Sequence, residues 1–243
     1  MYRLHITVQA KTKIKGPGVF TKRLHAFILN AVKEGNPLLS EYLHNRKDRQ
    51  LFSIYAHEFE IMIHSPNQSI IEYLQRYFLL HDDLELWNWK GKIQEVNTIY
   101  LSQESLMKWH SNRITIHFIT PTTFYQYGNY YPLPEINRLL LSGVKAYQLT
   151  DENVLPDIDL ESIARRIRIE HAEFFTRRVD FKKFKVIGFC GKLILSLSSL
   201  DQVESETVWE LLVYGSLMGF GYKTAWGLGQ TKLEPFNNLF QVR

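Results

Sequence analysis

Histidines and a cluster of glycines carry most of the chemistry open to this chain of 243 residues, which holds nine of the former and thirteen of the latter. An imidazole titrates near pH ~6.5 and serves as either partner in a proton transfer around neutrality. His44 is followed by Arg46, Lys47 and Arg49, cations able to stabilise negative charge developing beside it. A histidine that merely ends a short helix, where its charge suits the dipole, is the plainer alternative. His5, His57, His64 and His117 fall in expected strands, while His81, His110 and His171 fall near element ends or in a basic strand; structural roles are expected for them. No two histidines have HxxxH or HExxH spacing and the acids are not clustered, so neither a zinc site nor a two-metal nuclease centre is expected, and no cofactor.

The glycines concentrate in Gly219-Phe-Gly221-Tyr-Lys223-Thr224-Ala-Trp226-Gly227-Leu-Gly229, four of the thirteen within eleven residues. Glycines spaced in this way permit positive φ and let backbone N–H groups face a ligand without a Cβ in between, so the loop can cradle phosphates or an RNA backbone, with Lys223 as a cationic contact. It is not a nucleotide P-loop, because Tyr222 stands where glycine must precede Lys-Thr and the loop runs from helix to strand. Tight turns are the alternative. A second basic feature runs from Arg165, Arg166 and Arg168 through Arg177 and Arg178 to Lys182, Lys183 and Lys185, interleaving cations and apolar residues as a hairpin laid on RNA would. Phe174, Phe175 and Phe181 lie among them, with core packing favoured over base stacking.

The elements that position these residues follow from periodicity. A strand over Tyr2 to Gln9, helices near Phe20 to Glu34 and Leu38 to His44, strands within Leu51 to His64, a helix over Ser69 to Leu80 and strand-like alternation over Leu84 to Leu101 give the order β-α-β-β-α-β. The second half repeats it: a strand at Ile114 to Ile119, a helix near Pro134 to Leu149, strands at Arg165 to Phe174 and Lys183 to Leu197, a helix over Glu204 to Met218, and a strand near Gln230 to Pro235. The expected fold is therefore α+β, two tandem ferredoxin-like (RRM-like) domains, residues 1–112 with His44 and residues 113–243 with the basic hairpin and glycine loop.

Composition agrees with a globular chain: 45% hydrophobic, 22% charged, and no apolar run of the roughly 18 residues that suggest a bilayer span. No membrane partner is expected, and the alternating amino terminus lacks the apolar core of a secretory signal. The lone Cys190 can form no internal disulfide and reads as a small buried hydrophobe in a reducing cytoplasm. Net charge is only +4, but it is uneven: residues 1–50 carry ten Lys or Arg against three acids, residues 165–185 eight against three, and residues 151–161 five acids and no base. Two basic zones suggest a polyanionic partner, solvated faces being the alternative.

The loop Gly219 to Gly229 between the last helix and last strand resembles the signature of the Cas six family of CRISPR repeat-processing endoribonucleases. Leu24 to His44 followed by Leu51-Phe52-Ser53, and Ile119-Thr-Pro-Thr-Thr-Phe124, resemble the family's first helix and histidine segment and the strand opening its second domain. The resemblance implies a metal-independent endoribonuclease that binds CRISPR repeat RNA and cuts precursor crRNA once, by 2′-hydroxyl attack, leaving 2′,3′-cyclic phosphate and 5′-hydroxyl ends. It places His44 at the catalytic position, and it puts Leu29 and Gln50 where the family often has a tyrosine and a lysine. His25, four residues before Leu29 on the same helical face, is then a candidate second acid or base, and Lys47 or Arg49 a candidate charge stabiliser. By the same resemblance the basic hairpin and the glycine loop contact RNA. Other CRISPR effector-complex proteins or a second copy of the chain are further expected partners, and a non-catalytic RNA-binding subunit of such a complex is the competing reading.

Overall fold

The computed structural model describes residues 1–10, 12, 14, 16–150, 155–156 and 158–236. Lys11, Lys13 and Lys15 of the amino-terminal basic zone and Asp151, Glu152 and Asp157 of the acidic run lie outside the described residues. The chain divides into two units: Met1–Leu101 with Val179–Lys185 and Lys223–Gly227, and Ser102–Arg178 with Val186–Tyr222 and Leu228–Arg243. This division differs from the contiguous one expected between residues 112 and 113. The physical reason is apolar recruitment: Ala225 is buried in the same core as Leu24 and Ile28, and Trp226 packs against it, although both stand late in the sequence.

The first unit holds β1 (Tyr2–Ala10), α1 (Pro17–Gly35), α2 (Pro37–Asn45), β2 (Ser53–His57), β3 (Glu60–Ser65), α3 (Gln68–Leu80), β4 (Asp83–Leu86) and β5 (Trp89–Tyr100). The sheet order is β2-β3-β1-β5-β4 with antiparallel pairing throughout. Set α2 and β4 aside, and this is the ferredoxin-like arrangement. Leu4, Ile6 and Val8 alternate onto the face that meets Leu24, Ile28 and Val32 of α1 and Ile70, Leu74 and Phe78 of α3. Helix α1 starts at Pro17, earlier than expected, because proline's fixed φ suits a first helical position. The strand expected over Leu84 to Leu101 is instead a hairpin. It turns at Trp87 (φ 59°) and Asn88, where the buried positions change phase by one residue, from Leu84 and Leu86 to Trp89 and Gly91, because Leu86 pairs with Trp89 across a two-residue turn.

Helix α2 is fixed at both ends. The Asn36 side chain accepts the Leu39 N–H at 3.0 Å and Pro37 opens the first turn. Ser40 Oγ donates to the Leu29 carbonyl at 2.8 Å, and Gln50 Nε2 donates to the Leu43 carbonyl at 3.0 Å. These bonds set where the last turn, and hence His44, stands.

The second unit holds α4 (Gln103–Met107), β6 (Arg113–Thr122), β7 (Phe124–Gln126), β8 (Asn129–Tyr131), α5 (Ile136–Tyr147), α6 (Leu160–Arg166), most of β9 (Arg168–Asp180) and of β10 (Lys185–Ser196), α7 (Gln202–Met218) and β11 (Thr231–Glu234). Its main sheet runs β11-β6-β10-β9, again ferredoxin-like. Helix α7 opens with a capping box between Asp201 and Glu204. The strand expected from Arg165 starts only at Arg168: Arg165 and Arg166 occupy the last turn of α6, where cations complement the helix dipole.

Asn36→Ala leaves one N–H at the start of α2 without its side-chain partner, and the expected loss is about 1 kcal/mol of unfolding free energy. Denaturant titration checks it; a variant that unfolds with wild-type parameters removes the cap from the account of how His44 is placed.

Candidate active site

The four residues expected to do chemistry, His25, His44, Lys47 and Arg49, all lie in the first unit. His25 projects from α1 and stacks on Phe52 with ring centroids 5.3 Å apart and planes at 26°, while Trp226 tilts against it at 5.9 Å. Its Nδ1 is buried and makes no well-formed hydrogen bond. Burial pushes its pKa down to about 4, opposed by the Ala225 carbonyl, and the charges of Lys223 and His44 push it further in the same direction. The ring is thus neutral at physiological pH. His44 is exposed in the last turn of α2. Its influence on His25 puts the two imidazoles and the Lys223 ammonium in one electrostatic neighbourhood.

The cations that follow His44 differ in disposition. Lys47 is exposed. Arg49 is turned inward, where burial lowers its pKa to about 10, still cationic at neutral pH, and its carbonyl accepts from Arg46 Nε at 2.6 Å. At the two positions of the absent tyrosine and lysine, Leu29 is buried in the core and the Gln50 amide is committed to backbone carbonyls of Leu43 and Arg46.

The glycine loop departs from the phosphate-cradle expectation. The Gly221 N–H donates to Ser142 Oγ at 2.9 Å, that of Gly227 to the Thr224 carbonyl at 3.1 Å, and that of Gly229 to the Pro121 carbonyl at 3.1 Å. Those donors are engaged within the protein, so they are not directed at a ligand. The glycines serve close approach instead: a Cβ at Gly229 (φ 68°) would stand 1.9 Å from the Phe220 carbonyl oxygen, and one at Gly221 (φ 79°) 2.2 Å from that of Thr123. Gly219 and Thr224 are buried as well. Lys223 is the loop's half-buried cation: its backbone is left-handed (φ 57°), burial lowers its pKa, and its Nζ lies 3.9 Å from the Trp226 ring centroid and 5.3 Å from that of Phe184.

The basic hairpin is exposed, but its cations are unequally engaged. Arg165 pairs with Glu161 and Arg166 with Glu204, the latter through a 2.9 Å contact from Nη1, and such exposed pairs exchange cheaply. Arg168, Arg177 and Arg178 stand exposed on β9, and Lys182 and Lys183 lie in the turn. Lys185 opens β10 at 3.9 Å from Asp180. Of the three phenylalanines, Phe181 is buried, Phe174 packs on Phe118 and Phe189, and Phe175 is exposed beside Arg177.

Sequence reasoning passed over Trp226, Phe184, Phe52 and Lys22. Lys22 Nζ lies 5.0 Å from the Trp226 ring and 5.9 Å from that of Phe184, so two lysines share these aromatics. An aromatic inside a glycine-rich loop was the available signal. Thr21 Oγ1 donates to the Trp226 carbonyl at 2.7 Å, which fixes the indole against His25. Among the described residues no group of three or more His, Cys, Asp or Glu could hold a metal ion, and no helix is long and apolar enough to cross a membrane.

A family model described as CRISPR-associated endoribonuclease Cas6 matches residues 116–231. A curated CRISPR-associated endoribonuclease Cas6 from Streptococcus thermophilus is 28% identical over 150 residues, a stretch that spans 60% of this chain and 60% of that protein. Among solved structures, a product complex of a Thermus thermophilus Cas6 superposes with a TM-score of 0.78 at 18% identity, covering 96% of this chain and 99% of that one. The product of a Cas6-related gene from Pyrococcus furiosus gives 0.65 at 16%, covering 96% and 98%. At such identities the solved structures speak to fold, and they agree with tandem ferredoxin-like domains.

The depressed pKa of His25 has a consequence for stability. Above pH ~6.5 neither the folded nor the unfolded chain protonates it; between ~6.5 and ~4 only the unfolded chain does, so stability falls as pH falls, by up to ~1.4 kcal/mol per pH unit for each such group. His64, held well below the ordinary range by burial, and His5, lowered for the same reason, act in the same direction. His25→Phe is expected to remove one proton's share of that slope, read from denaturant unfolding at several pH values. An unchanged slope would mean that His25 titrates alike in both states.

Proposed function

We propose that this chain, a member of the Cas6 family, is an endoribonuclease that binds CRISPR repeat RNA and cuts precursor crRNA at a single site without a metal ion. The observation that carries this reading is the neutral, buried His25 influenced by His44 and Lys223 within one unit. Two imidazoles and a cation suffice for cleavage by internal transesterification. One imidazole takes the proton of the 2′-hydroxyl, the oxygen attacks the adjacent phosphorus in line, and the 5′-oxygen departs with a proton from the other. The products are a 2′,3′-cyclic phosphate and a 5′-hydroxyl, with no water consumed in the step.

In this reading His25, already neutral, accepts the 2′-hydroxyl proton, and the exposed His44 delivers one to the leaving oxygen. A base with a pKa near 4 is weak in the free protein. Burial is the main cause of that depression, and a phosphate seated against Lys223 and His44 offsets the smaller part that comes from charge, raising the basicity of His25 in part. Lys223 and the exposed Lys47 meet the charge that develops on the phosphate oxygens, while Arg49, turned inward, contributes a fixed positive field. The exposed cations of the basic hairpin supply salt-sensitive affinity for the RNA backbone. A second reading, passive RNA binding, draws support from Leu29 and Gln50, which are committed to the core and to backbone carbonyls.

The test incubates the protein in EDTA with its CRISPR repeat RNA, beside a repeat carrying 2′-deoxy at the scissile nucleotide and beside His44→Ala. A single cut, lost with either change, is the expected outcome, and His25→Ala is expected to slow the cut by about 10²-fold or more at saturating RNA. Tight binding with no cut favours the passive reading; cutting that survives His44→Ala removes that residue from the mechanism.

A further inference from the structure

The geometry points to a second RNA subsite in the first unit: Trp87, flanked by Arg23 and Lys182, is a stacking platform for a nucleotide of a single-stranded stretch of the bound RNA, away from the histidines. It rests on the reading of the chain as an RNA-binding protein and adds to that reading where unpaired RNA runs.

Trp87 occupies the turn between β4 and β5 and is 77% exposed, so this large apolar ring contributes little to the core. Its φ of 59° lies in the left-handed region, which favours glycine or asparagine over a bulky residue. Neither packing nor turn chemistry accounts for a tryptophan here. Two cations converge on the indole from different elements: the Arg23 guanidinium of α1 at 4.0 Å from the ring centroid, and Lys182 Nζ of the β9–β10 turn at 4.7 Å. Arg23 Nη1 also reaches Asn88 Oδ1 at 3.4 Å, which steadies it beside the turn.

The platform continues toward the site already described. Lys22, next to Arg23 on α1, reaches the rings of Phe184 and Trp226, and Phe184 shares its turn with Lys182. Trp226 in turn lies against His25. Rings and cations thus alternate from Trp87 to the imidazole, all within one unit. A bare aromatic patch would suit an apolar protein surface. Rings that each carry a cation ask for a π-face and a negative charge together, which is the chemistry of a nucleotide, and this combination tolerates any base.

The experiment is a coupled substitution series. Equilibrium affinity is measured for wild type, Trp87→Ala and Trp87→Phe against labelled repeat RNA with single-stranded flanks, intact and with one abasic nucleotide at each unpaired position. Trp87→Ala is expected to weaken binding of the intact RNA about tenfold, and Trp87→Phe to retain most of the affinity. At one unpaired position the abasic change weakens wild type similarly and adds nothing further in Trp87→Ala. If wild type binds and cuts while Trp87→Ala binds as tightly, or if its loss adds to every abasic change, the platform is overturned and the proposed function stands; the exposed indole then suits a protein partner. If wild type binds no repeat RNA, both fall together.

Discussion

One hydrogen bond joins residues 205 positions apart and fixes much of what surrounds the candidate site: the Thr21 hydroxyl donates to the Trp226 carbonyl at 2.7 Å. It holds the Lys223–Gly227 segment against α1, and that segment brings the indole, the lysine and the Ala225 carbonyl to His25. The approach requires missing side chains. A Cβ on Gly227 would lie 2.7 Å from Thr21 Cγ2, and one on Gly18 would lie 2.3 Å from Val179 Cγ1, where the turn of the basic hairpin meets the same helix. Helix α1 is therefore the bench on which two late segments of the chain are set down.

The electrostatics follow from that packing. Phe52 and Trp226 exclude water from the His25 ring and so deny it a proton, and the neighbouring Lys223 and His44 deepen the effect. Lys223 is subject to the same pressure from burial, eased by the indole face 3.9 Å beneath its ammonium. A neutral imidazole and an ammonium are thus held side by side on the same aromatic surface.

Much of this architecture is legible in the sequence because alternation and helical spacing are local properties. The strands and helices around Leu4, Leu24, Ile70 and Val208 fall close to where periodicity places them, and the element order gives both ferredoxin-like units. What periodicity misses is whatever depends on the third dimension. The hairpin at Trp87 shows in the sequence only as a one-residue change of phase between Leu86 and Trp89, with no glycine or proline to mark the turn, and Arg165 and Arg166 read as strand because a short capped helix passes into a strand without a break in composition. The glycine loop was recognisable as special. That its N–H groups face Ser142, Thr224 and Pro121 follows only from partners distant in sequence or from the path of the turn itself. Likewise His25 and His44 are separable as candidates, but the protonation of His25 is set by Trp226, some two hundred residues away.

Strand β9 is 13 residues long, forms the outer edge of its sheet and is exposed along nearly its whole length. An edge of that length offers a row of unpaired peptide groups to any extended chain, including another copy of itself, which is the usual route to fibrous self-association. Arg168, Arg177 and Arg178 stand along this edge among Glu170, Glu173 and Asp180, so two such strands laid parallel and in register would oppose arginine to arginine and acid to acid. The same charges that suit a polyanion also act as gatekeepers of colloidal behaviour. Neutralising them without a polyanion in place would expose the chain to misassembly at its most accessible strand.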